Sequence, residues 1–250
     1  MQWIDLSLTI EPNQSEPVPV EIEWVDHKAG ASILGQSIGL TEHDFPGGMA
    51  LSTEYVSLSS HTGTHIDAPI HYGPYCEGRP AKDIAQLPLD WFCSDGVVLR
   101  FNGDPDQGVI TLKEVVEALD RIQYKIKSKD IVLLETGADK RWGRPDYFTR
   151  FRGVSRAACA YLIDQGVKVI GVDTWGFDPP FDVMLAEYQN TSDSRTLWPA
   201  HLLGREKEYC QIERLANLSS IPTPYGFKVY CFPVKLGKSG ASWTRAVAQL

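Results

Sequence analysis

The sequence predicts an α/β domain with at least some parallel strand pairing. Three observations carry that prediction. Between residues 97 and 173, short apolar runs alternate with segments of helical period, the pattern of strand–helix–strand units. Hydrophobic residues make up 43% and charged residues 22% of the chain, ordinary globular usage that excludes a disordered or fibrous protein. The 250 residues contain no linker-like stretch and read as one domain over 1–250. A chain of this length buries about three quarters of its unfolded surface and needs no staples.

The elements follow in order. Residues 13–30 hold Pro17 and Pro19, then Ile22, Trp24 and Val25, and read as an extended arm over the body. Tyr55 to Ser59 alternates as a strand does. Asp95-Gly96 reads as a turn that feeds a buried strand, Val97 to Phe101. Thr111 and Glu114 form a capping box. It opens a helix with apolar residues at Leu112, Val115, Val116, Leu119 and Ile122. Ile131 to Leu134 is a short buried strand. Ser155 caps a helix through Ala158, Leu162 and Ile163, closed by Gly166. Val167 to Val172 is a strand ending at Asp173, a residue that either supports a metal-binding histidine or caps the following turn. The stretch 176–200, with Pro179, Pro180 and Pro199, has little period and reads as a long loop. Strands return at Phe227 to Val234 and Arg245 to Ala248.

Charge narrows the function. The net charge is −8, and an acidic surface repels phosphate backbones, so no nucleic-acid partner is expected. The longest uncharged apolar run, Ala157 to Ile163, is too short to span a bilayer, and no basic cluster suits an anionic membrane. The N-terminus shows no secretory pattern. Five scattered cysteines without a CxxC read as reduced thiols, which implies a cytoplasmic protein.

Three of the six histidines fall within eleven residues, at His61, His65 and His71. With Asp67 they share one parity, so a strand continuing from Tyr55 would point all four to one face. Gly63 and Pro69 share that parity and add little bulk. Two imidazoles and a carboxylate suit a first-row metal such as Zn2+ or Mn2+, and the missing thiolate argues against a structural zinc site. Such a site keeps open positions for water, whose pKa the metal lowers toward 7. His71 then reads as the general base, or else as a fourth ligand or a support for one. His201 and Glu213, taken alone, read as a helix-capping histidine and a solvated charge. Trp24, Trp175, Phe177 and Trp198 are candidate walls for a planar substrate, Trp24 from the arm.

His61 to His71 matches every specified position of H-x-G-T-H-x-D-x-P-x-H. In this the chain resembles the cyclase family of metal-dependent hydrolases, which includes bacterial kynurenine formamidase and isatin hydrolase. Weaker resemblance extends over Ile4 to Ser7, Glu135 to Gly137, Gly171 to Thr174, Ala200-His201, Ile212 to Leu218 and Trp243 to Ala248. The resemblance implies a swivelling β/β/α domain with a central mixed sheet, found as a homodimer or homotetramer. It implies that His61, His65 and Asp67 bind a first ion. It further implies that His71 is catalytic and that His201 and Glu213, twelve residues apart, help to hold a second. The implied substrate is a small planar carbonyl compound, an aryl formamide or a lactam cleaved at its C–N bond. A lactone or ester on the same site is the alternative. Where members of the family carry a Pro-Ser pair, this chain has Trp175-Gly176-Phe177-Asp178, a departure that bears on the substrate. Two rival classes remain: a non-haem Fe(II) oxygenase using His65, Asp67 and His201 as a facial triad, and a non-catalytic metal-binding protein.

Overall fold

The computed structural model describes residues 2–101, 103 and 108–250. Nine strands form one curled mixed sheet. Its centre is four parallel strands, in the order Cys93–Arg100, Ile131–Glu135, Val169–Val172 and Cys210–Glu213. Beyond the first lie Phe227–Tyr230, Val247–Gln249 and Trp3–Asp5, and beyond the last lie His65–Asp67 and Ala241–Trp243, all paired antiparallel. Parallel strands need crossovers. The helices Leu112–Arg121 and Arg156–Asp164 supply the first two.

Local chemistry explains both helices. The Glu114 carboxylate accepts from Thr111 N at 2.9 Å, and Thr111 Oγ1 accepts from Glu114 N at 3.3 Å, so the capping box forms. Ser155 Oγ accepts from Ala158 N at 3.2 Å. Val115, Leu119, Cys159 and Leu162 pack on the sheet face made by Val97, Leu99, Val132 and Leu134. The opposite face buries Val98, Ile131, Leu133 and Ile212 against Leu6, Ile66, Phe92 and Leu218. Burial on both faces explains why these strands read as continuous apolar runs.

The structure corrects four readings. Asp95 and Gly96 lie inside a strand, paired with Lys228 and Phe227, because the antiparallel ladder continues through them. The arm is extended at Glu21–Val25, which pairs with Thr53–Ser57, but a helix, His27–Ile38, starts where extension was expected. Asp26 caps it, accepting from Lys28 N and Ala29 N, both at 2.9 Å. The stretch 176–200 is not a loop: it holds the helices Phe181–Thr191 and Pro199–Leu203. Pro180 and Pro199 stand at their starts, where proline begins a helix instead of breaking it. The final strands are shorter than expected, at Phe227–Tyr230 and Val247–Gln249. No helix among the described residues is long and apolar enough to cross a membrane.

A two-stranded parallel pair, Val109–Ile110 with Gly153–Val154, fixes the start of the 176–180 segment. Val154 N donates to Phe177 O at 2.8 Å. A Cβ on Gly153 would stand 2.3 Å from Pro179 N, so only glycine allows this approach. Gly153→Ala is expected to cost about 1–3 kcal/mol through overpacking against backbone. Urea denaturation measures it, and an unchanged midpoint would refute the packing described.

Candidate metal centre and its cavity

The histidine-rich segment is not one strand. Thr53–Ser57 ends, a turn follows, and the chain re-enters the sheet as His65–Asp67. Gly63 takes φ +60, a left-handed conformation that breaks the ladder. Pro69 then starts a single helical turn, Pro69–Tyr72, which carries His71. Shared parity therefore holds only for His65 and Asp67. His61 arrives from the turn and His71 from the helix, yet all four side chains still gather at one place.

Distances define that place. His61 Nδ1 lies 3.1 Å from Asp67 Oδ1 and 3.3 Å from His65 Nε2. His65 Nε2 lies 3.5 Å from both Asp67 Oδ1 and Glu213 Oε2. His201 Nε2 lies 3.6 Å from both Asp67 Oδ2 and Glu213 Oε1. The strand register delivers Glu213, since it pairs directly with His65. Ligand atoms each about 2.1 Å from one cation at tetrahedral angles stand about 3.4 Å apart, so these donors fit a divalent metal. Both Asp67 oxygens are buried and receive no well-directed hydrogen bond among the described residues. A buried carboxylate in that state calls for a cation.

The electrostatics agree. Burial pushes Asp67 up, but His65, His201 and His61 around it together hold it well below the usual carboxylate range. Burial, and then the charge of Asp67, push Glu213 up to about 7. Burial drives His65 down to about 3, so it is a neutral ligand. Its Nδ1 stands 2.8 Å from Gly63 O, which fixes the proton there and frees Nε2. The ring of His71 lies 4.4 Å from that of His61 and 5.5 Å from that of His201. Surrounding protein lowers its pKa, against the pull of Asp67. His61, Asp67 and His71 also form a ligand-capable group, so the roles of base and extra ligand both remain open to His71.

His201 is aimed by a residue that sequence reasoning passed over. Its Nδ1 donates to Asp178 Oδ2 at 2.6 Å, while the backbone N–H groups of Ala200 and His201 donate to the same carboxylate at 2.7 and 2.9 Å. Asp178 thus caps the short helix and turns His201 Nε2 toward Asp67. Phe177 N donates to Glu213 Oε1 at 2.8 Å. A separation of 23 residues hides the Asp178–His201 pair from any local motif. Asp173 supports no histidine: its carboxylate accepts from Thr136 N, Thr136 Oγ1 and Gly137 N, at 2.6–2.9 Å, and caps the turn after the neighbouring strand.

Beside these donors lies a cavity of about 430 Å³, lined by Trp175, Phe177 and Trp198 together with Phe151, Phe181 and Met184. Trp198 stacks on Phe181 with ring centroids 5.7 Å apart. Trp24 is not part of this wall. It stands 65% exposed on the outer strand Glu21–Val25, because that strand pairs only with Thr53–Ser57.

The model of the putative cyclase family matches residues 4–179, which include His61 to His71 but not His201 or Glu213. The fold is similar to that of an isatin hydrolase bound to the product analogue thioisatinate, with TM-score 0.75 and 20% identity over 100% of this chain and 92% of that one. Isatin hydrolase A from Labrenzia aggregata bound to benzyl benzoate is similar with TM-score 0.72 and 22% identity, over 100% of this chain and 93% of that one. A potential metal-dependent hydrolase with cyclase activity matches with TM-score 0.64 and 18% identity, over 99% and 96%.

Asp178→Asn keeps the shape but weakens the hold on His201. Metal affinity is expected to fall about 10- to 100-fold. Titration against a chromophoric chelator reads this directly, and wild-type affinity in the variant would show that Asp178 does not position the ligand.

Proposed function

Because the chain belongs to the putative cyclase family, we propose that it is a metal-dependent hydrolase that cleaves the C–N bond of an aryl formamide or a lactam. The observation that carries this reading is the buried Asp67 carboxylate, with no well-directed hydrogen bond among the described residues, inside a ring of His61, His65, His201 and Glu213. These five residues would hold Zn2+ or Mn2+. Asp67 Oδ1 faces His61 and His65 while Oδ2 faces His201, and Glu213 divides its oxygens in the same way. With its oxygens so divided, the set would hold one ion or two. Bound there, a divalent ion supplies a Lewis acid for a carbonyl oxygen and acidifies water.

The chain's own groups supply the rest. Among the described residues no carboxylate is hydrogen-bonded to His71 as Asp178 is to His201, and its lowered pKa keeps a ring nitrogen free to accept a proton near neutral pH. It can return that proton to the leaving nitrogen. Thr62 Oγ1 and Trp175 Nε1 are buried with no partner among the described residues, and both residues line the cavity. They are donors available to the substrate's carbonyl or amide. Trp175, Phe177 and Trp198 form a wall that suits a planar ring. The isatin hydrolase bound to thioisatinate has this fold, which supports a lactam among the candidates. A lactone or ester would use the same groups. A facial triad of His65, Asp67 and His201 has less support, because His61 and Glu213 crowd the positions such a site leaves open. We extend the proposal to a homo-oligomer, supported by exposed apolar side chains at Trp24, Ile33, Leu51 and Tyr55, and to a cytoplasmic location, supported by five free cysteines.

Chelator-stripped protein is expected to lose hydrolysis of formanilide and isatin, and Zn2+ or Mn2+ to restore it. His71→Ala is expected to keep its metal while kcat falls about 10²- to 10⁴-fold. Turnover surviving complete metal removal would defeat the proposal, and full activity in His71→Ala would defeat the role given to that residue.

A further inference from the structure

A buried ion pair forms part of the cavity wall. Arg214 Nη1 donates to Glu16 Oε1 and Oε2 at 2.9 and 2.7 Å, and both side chains are almost fully buried. Glu16 comes from the N-terminal segment and Arg214 directly follows Glu213. Among the described residues lining the cavity, Arg214 is the sole lysine or arginine. Its guanidinium also lies 4.6 Å from the ring centroid of Trp175.

Arg214 does not depend on Glu16 for its place. Its Nε donates to Trp175 O at 3.0 Å, and its carbonyl accepts from the Thr64 hydroxyl. Its backbone takes φ +60, a conformation that bulky residues hold only when their surroundings impose it. Glu16 therefore acts on the charge of Arg214 more than on its position. A buried guanidinium left without an anion carries a large penalty, and at a cavity wall an anionic ligand can relieve it.

We propose that Glu16 sets the charge preference of the site by cancelling Arg214, so that the cavity takes neutral aryl carbonyl substrates and disfavours those bearing a carboxylate. This deepens the hydrolase reading and rests on it. Glu16 sets its carboxylate directly on the Arg214 guanidinium, so the one basic side chain of the described wall is matched by an acidic one. Removing the charge of Glu16 leaves the guanidinium as an unmatched cation at the cavity wall. A bidentate guanidinium–carboxylate contact is then available to the ligand. The net charge of −8 works in the same direction in the wild type.

The test compares formanilide with N-formylanthranilate, which adds a ring carboxylate, on metal-loaded wild type, Glu16→Gln and the double variant Glu16→Gln/Arg214→Met. Glutamine keeps the acceptor for Gly63 N, which Glu16 Oε1 serves at 2.8 Å. The wild type is expected to favour formanilide in kcat/KM. Glu16→Gln is expected to shift the ratio toward N-formylanthranilate by about tenfold or more, and the double variant to lose that shift. Benzoate and benzamide affinities, read by tryptophan fluorescence, are expected to shift in the same way. They separate the two ideas, since no turnover of any substrate would defeat the hydrolase reading while the benzoate shift still tests Glu16. A folded Glu16→Gln with unchanged ratios overturns the proposal. So does a wild type that hydrolyses N-formylanthranilate as efficiently as formanilide, whether or not the variants fold.

Discussion

The structure turns on one constraint, the burial of an ionised carboxylate that receives no well-directed hydrogen bond among the described residues. Asp67 ends a short strand that has a paired strand on each side, and it is fully buried, so its side chain cannot retreat to water. Left alone, such a group would destabilise the fold by several kcal/mol. Three imidazoles around it meet part of that demand, and a divalent cation would meet the rest. The other arrangements at the site follow. The Gly63 carbonyl fixes the tautomer of His65, Asp178 orients His201, and a backbone N–H holds one oxygen of Glu213.

The fold places these groups with few long excursions. Glu213 ends one parallel strand and the segment 173–178 follows the carboxyl end of its neighbour, where open α/β sheets gather their ligands. The antiparallel strand His65–Asp67 adds two donors beside them. The helices behind the sheet make a rigid base, and the aromatic side chains in front come from Phe151 and the region 175–198, whose first four residues depart from the family pattern. Metal chemistry and substrate shape are thereby assigned to different parts of the chain.

Much of this was legible in the sequence, for identifiable reasons. The capping residues Thr111 and Ser155 act locally, so their helices could be read directly. The apolar runs at 97–101 and 131–134 mark strands buried on both faces. The eleven residues from His61 to His71 carry most of the metal signal, although only His65 and Asp67 share a strand, since a left-handed glycine and a proline interrupt it. His201 and Glu213 needed the family resemblance, because isolated charged residues have no local signature. Asp178 and Glu16 escaped notice because their partners lie far along the chain. The helix Phe181–Thr191 was missed because it buries only Met184 and so shows little period. Trp24 was placed in the pocket on composition alone, whereas strand pairing holds it outside.

The central claim is that His61, His65, Asp67, His201 and Glu213 surround a divalent cation. Anomalous diffraction from crystals grown with Zn2+, and separately with Mn2+, tests it most directly. The account predicts anomalous peaks within about 2.0–2.3 Å of Asp67 oxygens and of nitrogens of at least two of the three histidines. Crystals that leave this cluster without a peak, while the metal binds elsewhere or nowhere, would contradict it.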